Sequence, residues 1–140
     1  MIKRNYLATF AKSFNWAGFF LPKDTYEECS KLYAFCRILD DVVDSDQDLK
    51  VKKERFNEIK DILKLYEIRF TENEKMVIVN DMITLTENKN IKKIILDDLI
   101  EGIESDLKKE VNFTTVKELL IYSYRVAGTV GLMMAKILSV

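Results

Sequence analysis

The sequence predicts an all-α domain, and three observations carry that expectation. The 140 residues include one proline and four glycines, the residues that most strongly break helices. Long runs are built from Leu, Ile, Lys and Glu, which lose little freedom on entering a helix. Apolar residues recur at helical spacing between short polar breaks. With 48% hydrophobic residues, the chain can bury one real core. Residues 1–140 read as belonging to a single domain, without a repeat, a low-complexity tract or an internal boundary.

A first helix is expected from about Tyr6 to Phe14, leading into the aromatic segment Asn15 to Leu21, which Pro22 ends. Asp24 or Thr25 is the expected N-cap of a second helix that closes near Ser45. After the acidic loop Asp44 to Asp48, Leu49 to Phe70 places Phe56, Ile59, Leu63 and Tyr66 at helical spacing, with lysines and glutamates between them. Such a helix is amphipathic with one solvated face. Asn73 to Thr86 forms a further helix, Asn88-Lys-Asn90 a break, and Ile91 to Asp106 the next helix. Thr114 or Thr115 caps a final helix that starts near Val116 and runs through Tyr122, Val126, Gly128 and Gly131 to the end. That run stops at Val140 without a C-cap glycine or polar tail. The expectation is either a missing continuation or an unusually short relative of a longer protein.

Composition excludes several function classes. Net charge is −1 with both signs interspersed, which gives no nucleic-acid footprint. There is no histidine, so a His general base and His-containing zinc, haem or di-iron sites are ruled out. Any metal must be held by oxygen. Cys29 and Cys36 lie two helical turns apart, too far to bridge, and read as buried thiols of a reducing compartment. The longest uncharged stretches, Ser13 to Pro22 and Val126 to Ala135, fall short of a membrane span. A cytoplasmic protein is expected, although a greasy substrate could bring it to a membrane surface as a peripheral protein. Oligomeric state is not legible.

The most informative stretch is Tyr33 to Asp44. At about 100° per residue, Tyr33, Arg37, Asp40 and Asp44 fall within about 60° of one another on a helix. Leu32, Phe35, Ile38, Leu39, Val42 and Val43 occupy most of the remaining circumference, so this helix is expected to be buried nearly all round. Buried carboxylates must be paired, hydrogen-bonded or bound to a metal, so the stripe should face a polar cavity or an ion. One reading pairs Arg37 with Asp40 and Asp41 and lets Asp44 begin a solvated loop. The other places Asp40 and Asp44 as a carboxylate pair for Mg²⁺ shared with phosphate oxygens, and Arg37 as a bidentate phosphate grip.

Two further clusters bear on function. In the last helix Tyr122, Val126, Thr129 and Met133 share a face, while Ala127, Gly128 and Gly131 leave the other side small. Helix-interior glycines cost about 1 kcal/mol each, which implies close approach by another helix or by a ligand. Tight packing is one reading; an apolar tunnel wall with a phenol at its mouth is the other. Asp97, Glu101 and Glu104 also share a face, but Lys92, Lys93, Lys108 and Lys109 flank them as on a solvated helix.

Four segments in register resemble the squalene/phytoene synthase family: Lys12-Ser-Phe14, the run Tyr33 to Asp44, Leu99-Ile-Glu-Gly102 followed by Asp106-Leu107, and Tyr122-Ser-Tyr-Arg-Val-Ala-Gly-Thr-Val-Gly131. The wording Tyr-Ala-Phe-Cys-Arg-x-Leu-Asp-Asp-x-Val-Asp is closest to the phytoene synthase branch. The resemblance implies the helical isoprenoid synthase fold and a head-to-head prenyl transferase. Two allylic diphosphates, geranylgeranyl or farnesyl, would be joined through a cyclopropyl intermediate with Mg²⁺ at the leaving diphosphate. It also implies that Asp40 and Asp44 form the first metal pair, with Asp41 beside it, and that Ser13, Tyr33 and Arg37 contact the diphosphate. Tyr122 would stand near the ionising centre, and Val126, Ala127, Val130 and Gly131 would line the prenyl tunnel.

The sequence also departs from the family pattern. The second aspartate motif of the family has no counterpart within the 140 residues, so the chain by itself is expected to be inactive. Ala11 stands where several relatives carry serine, and Arg125 is unusual before Val-Ala-Gly. The rival expectation is a non-catalytic helical assembly or binding protein that kept the fold.

Overall fold

The computed structural model describes residues 12–13, 15–68, 71–108 and 112–139, and among them the chain is helix and loop without strand. In chain order the helices are α1 (Lys23–Asp44), α2 (Leu49–Leu65), α3 (Glu74–Asn88), α4 (Lys93–Ser105), α5 (Val116–Ser123), a π-helical segment (Tyr124–Gly128) and α6 (Thr129–Ile137). The expected first helix lies mostly outside the described residues; Lys12, Ser13 and residues 15–18 are helical.

Local chemistry sets the boundaries. α1 begins two or three residues earlier than Asp24 or Thr25 would place it, because Pro22 is the N-cap and its carbonyl accepts from Tyr26 N–H at 2.9 Å. Asp24 instead sits in the first turn, where a carboxylate complements the unpaired N–H groups. At the far end Ser45 turns extended, and Lys52 Nζ donates to the Val43 carbonyl at 2.8 Å, which satisfies one of the last free acceptors. α2 stops at Leu65, short of Phe70, because Tyr66 enters the left-handed region at φ 51°. Asn73, expected as the first residue of α3, is instead its N-cap and accepts from Lys75 N–H. α3 ends in a Schellman motif: Asn90 takes φ 51°, Asn90 N–H donates to Glu87, and Ile91 N–H donates to Thr86. Thr115 and Glu118 form a reciprocal capping box at the start of α5.

The final helix is not continuous. Thr129 N–H bonds to the Tyr124 carbonyl, five residues back, which inserts one residue into the helical register. The buried Thr129 hydroxyl donates to the Arg125 carbonyl at 2.7 Å. One ring carbon of Tyr124, Cδ2, would stand 3.0 Å from a Cβ at Gly128. The extra residue turns Tyr122 and Val126 out of the register expected with Thr129 and Met133; the latter two are buried, the former half-buried.

α1 is the central element, packed most extensively on α3 and also on α2, α4 and α6. Cys29, Leu32, Phe35, Ile38, Leu39 and Val42 form its buried face. They meet Phe56 and Ile59 of α2, Met82 and Ile83 of α3, Leu96 and Leu99 of α4, and Met133 and Ile137 of α6 in one core cluster. Cys29 Sγ lies 3.4 Å from Met134 Sδ, and Lys89 pairs with Glu28 at 2.8 Å, so α6 and the end of α3 are each fastened to α1. α5 contributes no buried residue; Val116, Leu119, Leu120 and Ile121 are exposed along it. Trp16, Phe19 and Phe20 form a second exposed apolar group. No described helix is long and apolar enough to cross a membrane.

Both cysteines are free. Burial, then the charge of Asp40, pushes the Cys36 thiol up to about 12, and Cys29 is buried and also raised, mainly by burial. Since only thiolate reacts, iodoacetamide should alkylate the native chain at pH 7 roughly a thousandfold more slowly than the chain in guanidinium. Intact mass against time reads this, and rapid native labelling would contradict the packing around Cys36.

Candidate functional site

The stripe of α1 lies at an edge of the bundle, not within it. Tyr33 and Asp40 are half-buried, while Arg37, Asp41 and Asp44 are exposed. The helix is therefore not buried all round; its buried face is the opposite one. Among the described residues the ion pairs are Lys23–Glu27, Lys60–Glu104, Lys89–Glu28 and Arg125–Glu101. None takes in Arg37, so the intrahelical pairing of Arg37 with Asp40 or Asp41 does not form.

Tyr122 is brought to the same edge from the other end of the sequence. Its hydroxyl donates to Asp106 Oδ1 at 2.7 Å, and its ring lies 5.1 Å from the Phe113 ring, tilted by 48°. Burial, the bond to Asp106, and the negative charges of Asp106 and then Asp40 hold its phenol well above the ordinary tyrosine range. Asp40 thus stands close enough to act electrostatically on both Tyr122 and Cys36. Tyr122 remains a neutral phenol at physiological pH, in an acidic surrounding that favours positive charge.

The sequence motifs single out Tyr122, Asp40 and Asp44 as candidates but give Asp106 no role. The Asp106-Leu landmark was visible; its partner was not, because the bond joins residues in separate elements.

The small-residue segment divides in two. Val126 and Val130 are half-buried and pack against the core, whereas Ala127 and Gly131 are exposed. Nothing lies within 4 Å of where a Cβ on Gly131 would stand. Gly102 of α4 is the opposite case: a Cβ there would stand 2.6 Å from Arg125 Cβ, so this glycine lets α4 and the π segment touch. Ser13 is exposed on its helical stretch, and Phe14 lies outside the described residues. A cavity of about 470 Å³ beside Tyr122 is lined by Ser105, Phe113, Ile121 and Arg125 among others. Its lining includes neither Asp40 nor Asp44.

The acidic face of α4 is internally compensated. Glu101 pairs with Arg125 at 3.0 Å and Glu104 with Lys60 at 2.8 Å, as expected of a solvated helix. Among the described residues no group of three or more carboxylates and thiols converges as a metal cage. Two carboxylates near the end of α1 are compatible with Mg²⁺ all the same, because that ion commonly takes one or two protein carboxylates and completes its shell with water and substrate phosphate.

Comparison with known proteins supplies the context. The squalene/phytoene synthase family matches residues 7–140. A 4,4'-diapophytoene synthase of Staphylococcus haemolyticus is 31% identical over 130 residues, which cover 93% of this chain and 45% of that protein. A 15-cis-phytoene synthase of a Paracoccus species is 30% identical over 135 residues, covering 93% of this chain and 44% of that protein. The chain spans less than half the length of these curated relatives.

Proposed function

This chain belongs to the squalene/phytoene synthase family, with its all-α isoprenoid synthase fold, and we propose that it supplies one carboxylate pair and the tyrosine of a head-to-head prenyl transfer site. The observation that carries this reading is the hydrogen bond of Tyr122 to Asp106 at 2.7 Å, which sets the phenol leading into the Val-Ala-Gly-Thr-Val-Gly run at an acidic edge that Asp40 of α1 also charges. The substrates are two allylic prenyl diphosphates, farnesyl or geranylgeranyl. Asp40 and Asp44 hold the metal end, and exposed Arg37, with Tyr33 and Ser13, takes the diphosphate oxygens. Charge neutralisation of the leaving diphosphate is the chemistry that Mg²⁺ would supply there.

Ionisation leaves an allylic cation. The neutral Tyr122 phenol, ringed by the negative charges of Asp106 and Asp40, stabilises positive charge through its electron-rich face and oxygen. Val126, Ala127, Val130 and Gly131 lie alongside for the hydrocarbon, two of them packed and two open. Because no three carboxylates converge there as a metal cage among the described residues, the 140-residue chain alone binds the Mg²⁺–diphosphate unit weakly and does not turn over.

The second reading, a non-catalytic helical binding or assembly protein, draws on the exposed apolar length of α5. Titration of the chain with farnesyl thiolodiphosphate separates the two. Saturable binding that requires Mg²⁺, without hydrocarbon formation from farnesyl or geranylgeranyl diphosphate, supports the half-site. Binding indifferent to Mg²⁺, or none, favours the assembly protein.

A further inference from the structure

We infer that Asp106 is a positioning residue that takes the hydroxyl proton of Tyr122 in a hydrogen bond, so that the phenol faces the reacting hydrocarbon as an acceptor and not as a donor. The inference rests on the prenyl-transfer reading for what faces the phenol, and on the Tyr122–Asp106 contact for the rest. A phenol carries one O–H donor, and at 2.7 Å to Asp106 Oδ1 that donor is committed. Bonds of this kind to an ionised acceptor are roughly twice as strong as neutral ones. What Tyr122 has left to offer is its oxygen lone pairs and its ring face, both electron-rich, and the bond to a carboxylate increases that electron density.

The supporting frame is built for this one contact. Asp106 is the C-cap residue of α4, and its own N–H is bonded to the Ile103 carbonyl at 3.0 Å, so the carboxylate projects from a fixed backbone. On the other side the tilted Phe113 ring limits rotation of the phenol. Two roles open to such a tyrosine, donating a hydrogen bond to the leaving diphosphate and stabilising the cation, are thereby separated: the committed proton removes the first and strengthens the second.

The test uses the 140-residue chain carrying ¹³Cζ-labelled tyrosine. The Tyr122 resonance is the one lost in Tyr122→Phe. It should lie downfield of the other tyrosines, as expected of a phenol bonded to a carboxylate. Asp106→Asn should move it back toward them, and Asp106→Glu should restore part of the displacement. An unmoved resonance in Asp106→Asn, with helical circular dichroism intact, would overturn the inference. The second readout is the affinity of a farnesyl dimethylammonium probe in the presence of Mg²⁺ and inorganic pyrophosphate. Asp106→Asn should weaken it about tenfold and leave the affinity for Mg²⁺–pyrophosphate alone unchanged. In the Tyr122→Phe background the same substitution should cost little more, because Asp106 acts through the phenol. Equal losses in both backgrounds would sink that role, and so would no loss in either. Failure of the unsubstituted chain to bind pyrophosphate with Mg²⁺ would count against the prenyl-transfer reading alone, since the resonance still decides whether Asp106 holds the phenol.

Discussion

Replacing both Asp40 and Asp44 by asparagine should weaken Mg²⁺-dependent pyrophosphate binding by about a hundredfold while changing stability by no more than about 1 kcal/mol. The two halves of that expectation have different physical origins. A carboxylate near a helix C-terminus faces the negative end of the macrodipole and is disfavoured there. α1 ends on Asp40, Asp41 and Asp44, has no basic residue in its last turn, and runs into Asp46 and Asp48. Asp44 is exposed and Asp40 only half-buried, so neither supports the core in the way Phe35 or Leu39 does. Removing the charges relieves repulsion, which offsets whatever local contacts are lost. Isothermal titration together with urea melts checks both halves at once. A control pair, Asp46→Asn with Asp48→Asn, removes as much charge from the adjoining loop and should leave binding within about twofold. Equal losses in the two double variants would reduce the site to diffuse attraction by an acidic loop end.

Most helix boundaries were legible because caps are local. Asn73, Thr115 with Glu118, and the Asn88-Lys-Asn90 break all act within one turn of themselves, and such chemistry is written in adjacent letters. What sequence periodicity did not reveal depends on contacts between elements. Tyr66 adopts a left-handed conformation that tyrosine rarely takes, so nothing in the Leu49 to Phe70 pattern marks the stop at Leu65. The π segment also breaks no rule of composition. It is held by Thr129, by the space at Gly128 and by the approach of α4 at Gly102, and it shifts a face that regular periodicity treats as continuous. The stripe residues lie on one helix, as their spacing predicts, but counting apolar letters overstated its burial, since half-buried Val43 and Cys36 lie between the core face and the polar edge. The carboxylates and Tyr122 were visible as residues, whereas the bond to Asp106 exists only once α4 and α5 are folded together.

Gly102→Val should destabilise the chain by about 3 kcal/mol, the largest loss expected from any glycine here. A Cβ at position 102 would meet Arg125 Cβ at 2.6 Å, Val126 Cγ1 at 3.1 Å and the Arg125 carbonyl carbon at 3.2 Å. Two of those atoms belong to or adjoin backbone, so relief requires the π segment to move away from α4, not a side chain to rotate. That movement would carry Tyr122 away from Asp106, because their hydrogen bond spans the same α4-to-α5 junction. Urea melts should therefore show the stability loss, and the Tyr122 ¹³Cζ resonance should move upfield in whatever fraction remains folded. Gly131→Ala gives the opposite result. With nothing within 4 Å of the added Cβ, it should gain about 0.5–1 kcal/mol from helix propensity. Placed on the proposed hydrocarbon face, the same methyl should weaken binding of the farnesyl thiolodiphosphate without affecting Mg²⁺–pyrophosphate. If Gly131→Ala stabilises the chain and leaves prenyl binding intact, the small residues of this helix serve packing alone, and the hydrocarbon must lie elsewhere.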